Sequence, residues 1–158
     1  MNSKKHDEAN ALTFSSSVFD PEEYAKVARH ARLEDIRLNS CEYKVKHECF
    51  AQSEDCGKEL NQSFSGSIAG HSFDSESGLL AGVYIWSAEV KFRRKKALKL
   101  KCEYFLAYSG LEERDPDYAR LYFQKLARFT SYPYFRSHFA VEPTASGLMI
   151  GPLPSLID

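Results

Sequence analysis

Strict two-residue alternation, maintained over two successive stretches, constrains this chain more than any other feature. Tyr84, Trp86, Ala88, Val90 and Phe92 recur at every second position, and so do Leu98, Leu100, Cys102, Tyr104, Leu106 and Tyr108. Successive strand side chains point to opposite faces, so alternation of this length predicts two strands, each with one buried row. Both rows must reach the same core. A hairpin pairing Phe92 with Leu98, Val90 with Leu100 and Trp86 with Tyr104 satisfies that demand and leaves residues 93–97 as the connecting loop. A slip of one residue would set Val90 against Lys99 and is excluded. In this register the opposite face is charged near the tip, with Lys91 beside Lys99 and Glu89 beside Lys101. At its far end it is apolar, with Ile85 opposite Phe105 and Val83 opposite Ala107. Such a surface calls for a cover: the N-terminal helix, a second subunit or a ligand.

The flanking segments follow the same logic. Residues 1–19 read as a flexible polar arm, with residues 20–158 forming a single domain. Asp20-Pro21-Glu22-Glu23 is a helix start, with a capping Asp, Pro at the first position and carboxylates at the positive end of the dipole. Tyr24, Val27, Ala28 and Ala31 then carry a short helix to about Arg32. From Leu33 the period changes to two. Ile36 and Leu38 alternate in one phase, and Cys41, Tyr43, Val45 and His47 in the other, which predicts a first strand with a bulge near Asn39-Ser40. Residues 51–77 are rich in Ser, Gly, Asp and Asn, with a weak strand over residues 60–68 suited to a sheet edge.

After Gly110, Asp115 and Pro116 open a second helix striped with Tyr118, Leu121, Tyr122, Leu126 and Phe129. Tyr132-Pro133 is expected to break it, because proline lacks an amide hydrogen and disfavours helix in the preceding residue. A further helix carries Phe135 and Phe139 and is expected to end at Glu142-Pro143. Strands first and helices afterwards predict a two-layer α+β domain on an antiparallel sheet.

A length of 158 residues suits one domain, burying about 68–70% of its unfolded surface. A net charge of −1 gives no pull toward nucleic acid or anionic membrane, and no apolar run is long enough for a membrane span. The polar N-terminus, where Leu12 and Phe14 stand isolated, lacks the apolar stretch of a signal peptide, so a cytoplasmic location is expected. Cys41, Cys49, Cys56 and Cys102 are then expected as reduced thiols. His47, Cys49 and Cys56 match no usual zinc spacing, so no metal and no cofactor are expected.

The search for chemistry returns little. There is no P-loop, no dinucleotide glycine cluster after a strand and no Gly-x-Ser-x-Gly elbow, and His47-Glu48 lacks a second histidine one turn on. His71 sits in a Gly/Ser loop. His138, one turn before Glu142, could form a catalytic pair, but a surface contact at that spacing is the preferred reading. The basic run Arg93-Arg94-Lys95-Lys96, with Lys99 and Lys101, could contact phosphate; a solvated strand connection that blocks edge association is preferred. With eleven Phe, nine Tyr and one Trp, the chain is rich in aromatics. Those between Tyr122 and Phe139 are too many for one helical face, which points to a subunit interface, an apolar groove for extended polypeptide, or both.

The stretch Ser131-Tyr132-Pro133-Tyr134-Phe135-Arg136, followed by Gly147-Leu148-Met149-Ile150-Gly151-Pro152-Leu153, resembles the C-terminal half of the protein-export chaperone SecB and its SecB-like relatives. The strand over residues 98–108 and the helix over 116–129 fall in the order that family uses, and Leu33-Glu34-Asp35-Ile36-Arg37-Leu38 resembles its first strand more loosely. The resemblance implies a four-stranded antiparallel sheet with two C-terminal helices on one face. It also implies a homotetramer built as a dimer of dimers, and ATP-independent holding of unfolded or pre-secretory polypeptide in apolar grooves, without enzymatic activity.

On that reading, polypeptide binding is expected at Val83, Ile85, Trp86, Phe105, Phe135, Phe139, Leu148 and Ile150, and a subunit seam at Tyr118, Tyr122, Leu126 and Phe129. The family docks the translocation ATPase through carboxylates on its sheet, whereas the hairpin here is basic. An antitoxin is thus as good a candidate partner as that ATPase. The competing expectation is a dimeric small-molecule-binding or catalytic α+β domain, with a closed pocket between sheet and helix near His138 or Tyr104.

Overall fold

A computed structural model describes residues 19–51 and 60–156. The expected N-terminal arm, apart from Phe19, and Cys56 lie outside them. The elements run α1 (Pro21–His30), β1 (Arg32–Val45), a short 3-10 turn (His47–Cys49), β2 (Leu60–Asp74), β3 (Leu79–Phe92), β4 (Lys95–Ser109) and α2 (Pro116–Ala145). The strands form one antiparallel sheet in the order β1-β4-β3-β2, so the alternating hairpin occupies its centre. The polar strand β2 lies at an edge, as its composition suggested, and is longer than expected.

The starts of both helices follow from their sequences. Asp20 accepts a hydrogen bond from the Glu22 amide at 2.9 Å, and Asp115 accepts one from the Asp117 amide at 2.8 Å, each just before a proline at the first turn. The change of phase in β1 is a real irregularity: the register with β4 shifts between Leu38 and Ser40, where the bulge was expected, and also between Leu33 and Asp35.

The central hairpin keeps the expected faces but not the expected partners. Val90 pairs with Leu98, Ala88 with Leu100, Trp86 with Cys102 and Tyr84 with Tyr104, a slip of two residues from the expected register. A two-residue slip preserves which side chains face the core, so burial cannot distinguish the two pairings. The turn decides. The loop is Arg93-Arg94 alone, with Arg93 at φ 56°, and the register shift between Val90 and Lys91 absorbs the mismatch.

The helical layer departs from expectation more plainly. Two C-terminal helices were expected, but α2 is one helix that passes through both Pro133 and Pro143. Pro133 withholds a hydrogen bond from the Phe129 carbonyl, yet both residues lie on the exposed side of the helix, where water can take that bond. On the other side Ser131, Tyr132, Phe135 and Phe139 are buried, so packing holds both halves of the helix in line. The helix stops instead at Gly147, whose φ of 76° is left-handed. There the Leu148 amide bonds the Pro143 carbonyl at 2.8 Å and the Gly147 amide bonds that of Thr144 at 3.0 Å.

α2 lies across one face of the sheet, against β2, β3 and β4, and α1 packs on α2. The Asp20 amide donates to the Tyr118 hydroxyl at 2.8 Å, and Phe19 stacks near Tyr118 and Tyr24, tying the start of α1 to the long helix.

Candidate functional site

The inward row of β3 meets the buried stripe of α2 in a nest of rings. The Trp86 indole donates to the Ser131 hydroxyl at 2.8 Å, which itself donates to the Ala127 carbonyl at 2.7 Å. Phe135 stacks on Trp86 at 5.6 Å between centroids, and Tyr132 and Tyr84 lie 5.0 and 5.1 Å from it. Phe139 is fully buried in the same cluster. Packed rings therefore fill the interface between sheet and helix, where a closed pocket was the competing expectation. Of the residues expected to bind polypeptide, the structure places Trp86, Phe135 and Phe139 in this core.

The others lie on two separate surfaces. Val83, Ile85 and Phe105 stand half-buried on the sheet face away from α2, with Val83 paired to Phe105 and Ile85 to Glu103. Leu148 and Ile150 lie on the extended segment after α2. With Thr144, Gly147, Met149 and Gly151 they line a cavity of about 470 Å³. Met149, which the sequence reading did not single out, is 100% exposed. The segment is tied down at its far end: Arg136 Nε donates to the Leu153 carbonyl at 2.7 Å, the Tyr132 hydroxyl donates to the Pro154 carbonyl, and Gln62 donates to that of Gly151 at 2.9 Å. Leu153 is buried beneath it.

Of the expected seam residues, Tyr118 is buried under α1, whereas Tyr122, Leu126 and Phe129 follow at helical spacing along one stripe of α2. Tyr122 and Leu126 are half-buried, and Phe129 is exposed. A further apolar strip went unread. β1 residues paired to the inward row of β4 share the helix-side face, yet Leu33 and Leu38 are 45% and 41% exposed there. Their signal was present in the alternation of β1, but a strand pattern does not say whether a helix reaches far enough to cover it.

The outer face keeps its lysines, with Lys91 beside Lys96 and Lys44 beside Lys99, but carries carboxylates among them. The true pairing sets Glu89 beside Lys99 and Glu42 beside Lys101. Lys96 reaches Glu89 at 2.7 Å, Lys44 reaches Glu42 at 2.5 Å, and Lys101 lies 3.6 Å from Glu103. Their lysine partners hold the Glu89 and Glu42 carboxyls below the usual range, chiefly through the hydrogen bonds. Carboxylates that engage Lys44, Lys96 and Lys101 make this face a poor phosphate track.

A third cluster lies where β1 meets the C-terminal half of α2. Cys41 and Cys102 are cross-strand partners, with the Cys102 thiol 3.4 Å from the Cys41 sulfur. Burial, followed by the neighbouring Cys41, pushes the Cys102 thiol up to about 12. Tyr104 is buried beside Cys102 with its ring 6.3 Å from that of His138, and its hydroxyl makes no hydrogen bond of good geometry.

With its antiparallel four-stranded sheet, one long helix across it and a short N-terminal helix, the chain has a SecB-like fold. Among solved structures it is similar to the Mycobacterium tuberculosis Rv1957 SecB-like chaperone in complex with a ChAD peptide from the Rv1956 HigA1 antitoxin. The TM-score is 0.71 at 16% identity, over 87% of this chain and 98% of that one. A protein of unknown function from Streptococcus agalactiae aligns at a TM-score of 0.41 and 13% identity, over 79% of this chain and 97% of that one. No protein-family profile and no curated protein sequence matches the chain. Among the described residues, no helix is long and apolar enough to cross a membrane.

Proposed function

We propose that the protein is a cytoplasmic, ATP-independent chaperone that holds an unfolded or partly folded polypeptide on its open apolar surface. The observation that carries this reading is the segment after α2. Leu148, Met149 and Ile150 form an apolar trough, held in place by hydrogen bonds at its far end and open to solvent. An extended chain laid there would bury alternate side chains without chemistry, which is how a groove selects unfolded over folded clients. Binding only the unfolded state shifts a client's folding equilibrium by mass action and needs no nucleotide. The SecB-like fold, and a neighbour of that fold solved with an antitoxin peptide, support a peptide client and make an antitoxin a reasonable partner.

Assembly as a dimer of dimers belongs to the same proposal, with the stripe Tyr122, Leu126 and Phe129 at a seam and the face of Val83, Ile85 and Phe105 in contact with a partner or client. Docking to the translocation ATPase would use Glu42, Glu89 and Glu103, carboxylates already engaged by lysines, and is the less favoured partnership. The test is aggregation of a chemically denatured client, followed by light scattering without ATP. The wild-type protein at stoichiometric excess suppresses scattering, and Leu148→Glu with Ile150→Glu loses most of that suppression. Unaltered scattering with wild type, or full suppression by the double variant, would refute the reading.

A further inference from the structure

The cluster at the junction of β1 and α2 has the chemistry of a metal site. The ligand atoms of Cys41, His138 and Glu142 all lie within 4.8 Å of one another. His138 and Glu142 are one turn apart and so share a face of α2, while Cys41 faces them from the edge strand. A second sulfur, that of Cys102, lies 3.4 Å from Cys41 on the neighbouring strand. Among the described residues, the imidazole of His138 and the carboxylate of Glu142 have no hydrogen-bond or ion-pair partner, and the buried Tyr104 hydroxyl beside them is also unsatisfied. Polar groups brought this close without bonding one another fit a shared cation better than they fit a pairwise contact.

We propose that Cys41, His138 and Glu142 bind a divalent transition metal of the zinc type, with a water completing four-coordination. One thiolate, one imidazole and one carboxylate form a borderline-soft donor set, which favours Zn²⁺ over the hard cations Mg²⁺ and Ca²⁺. Ligand atoms about 2.0–2.3 Å from a tetrahedral ion stand about 3.3–3.8 Å apart. The present spacing therefore needs only a modest contraction, available from side-chain rotation. Cys41 is exposed and His138 and Glu142 are half-buried, which leaves an entry path, while Cys102 and Tyr104 close the floor. The bound ion would staple the open edge strand to the far half of the long helix. Neither the chaperone reading nor its test depends on this site.

The experiment is cobalt titration of the full-length protein, stripped with a chelator and kept reduced with a phosphine. Co²⁺ binds with a thiolate-to-metal charge-transfer band and a tetrahedral ligand-field spectrum, and Zn²⁺ displaces it. Cys41→Ser abolishes the charge-transfer band. His138→Ala and Glu142→Gln each weaken Co²⁺ binding by about tenfold or more. The double variant His47→Ala with Cys49→Ser retains the wild-type spectrum. The altered residues are exposed or half-buried, and circular dichroism confirms that each variant folds. No thiolate band at saturating Co²⁺ would overturn the proposal. So would a band that survives Cys41→Ser, or one lost in the His47/Cys49 variant.

Discussion

A Cβ added at Gly82 would lie 2.5 Å from the Phe123 ring and 2.6 Å from the backbone oxygen of Gly70. The ring can tilt, but the paired strand cannot withdraw without breaking its ladder. Gly82→Ala should therefore destabilise the fold by about 1–3 kcal/mol, read as a lower urea midpoint at constant m value. Tyr108 carries a different prediction. Burial raises its phenol above the ordinary value, and Thr130 Oγ, 2.9 Å away and able to donate to the phenolate, partly offsets this. A folded-state value above the unfolded one means that this contribution to stability is complete below about pH 10 and is lost as pH rises through the folded value. Buried Tyr84 and Tyr104 act with the same sign. Urea midpoints should thus fall above pH 10. Tyr108→Phe should cost about 1 kcal/mol at pH 8 yet decline less steeply, and parallel declines would contradict the assignment. At this scale the sequence was a partial guide. It marked Trp86 and Phe135 as apolar, but not that they would stack on each other in the core. His138 and Glu142 were legible as a pair at helical spacing; Cys41 was not legible beside them, because only the tertiary fold brings that strand to that helix.

The elements show which kinds of pattern carry long-range information. Alternation in β3 and β4 was enough to assign the buried face, because a wrong phase would bury lysines. It could not fix the partners, since every even slip satisfies the same burial, and the turn breaks the tie. The bulge near Ser40 was legible because the hydrophobic phase itself slips there. The expected break at Pro133 failed for the opposite reason: a local propensity was outweighed by Tyr132, Phe135 and Phe139 packing on both sides of it. The tight turn gives a direct test. Arg93 adopts the left-handed region at a cost of about 1–2 kcal/mol, while its guanidinium lies 5.3 Å from the Phe92 ring centroid, a contact worth about 0.5–1 kcal/mol. Relief of backbone strain is offset by the lost contact and by glycine's greater freedom in the unfolded chain, worth about 0.5–1 kcal/mol. Arg93→Gly should therefore leave stability within about 0.5 kcal/mol of wild type, seen as a near-unchanged thermal midpoint and far-ultraviolet spectrum, whereas a β-branched Arg93→Val should lower the midpoint.

For the whole molecule, the proposed chaperone function and dimer-of-dimers assembly raise the question of which apolar surface would serve subunits and which would serve clients. Tyr122, Leu126 and Phe129 lie on a rigid helix and form a continuous stripe, suited to a self-complementary contact that repeats by symmetry. Leu148, Met149 and Ile150 lie on an extended segment whose trough has room for a foreign chain. The sequence had already separated these stretches by period, the one helical and the other proline-rich. It could not show that Pro133 leaves the helix intact and so carries one continuous helix from the stripe to the start of the proline-rich segment. The division of labour predicts separable defects. Leu126→Glu with Phe129→Glu places uncompensated charge in the proposed seam and should lower the mass measured by light scattering after gel filtration. Leu148→Glu with Ile150→Glu should leave that mass unchanged while client holding falls. If the first pair of substitutions left the mass intact, the seam would have to lie elsewhere, and the sheet face of Val83 and Phe105 would be the next surface to charge.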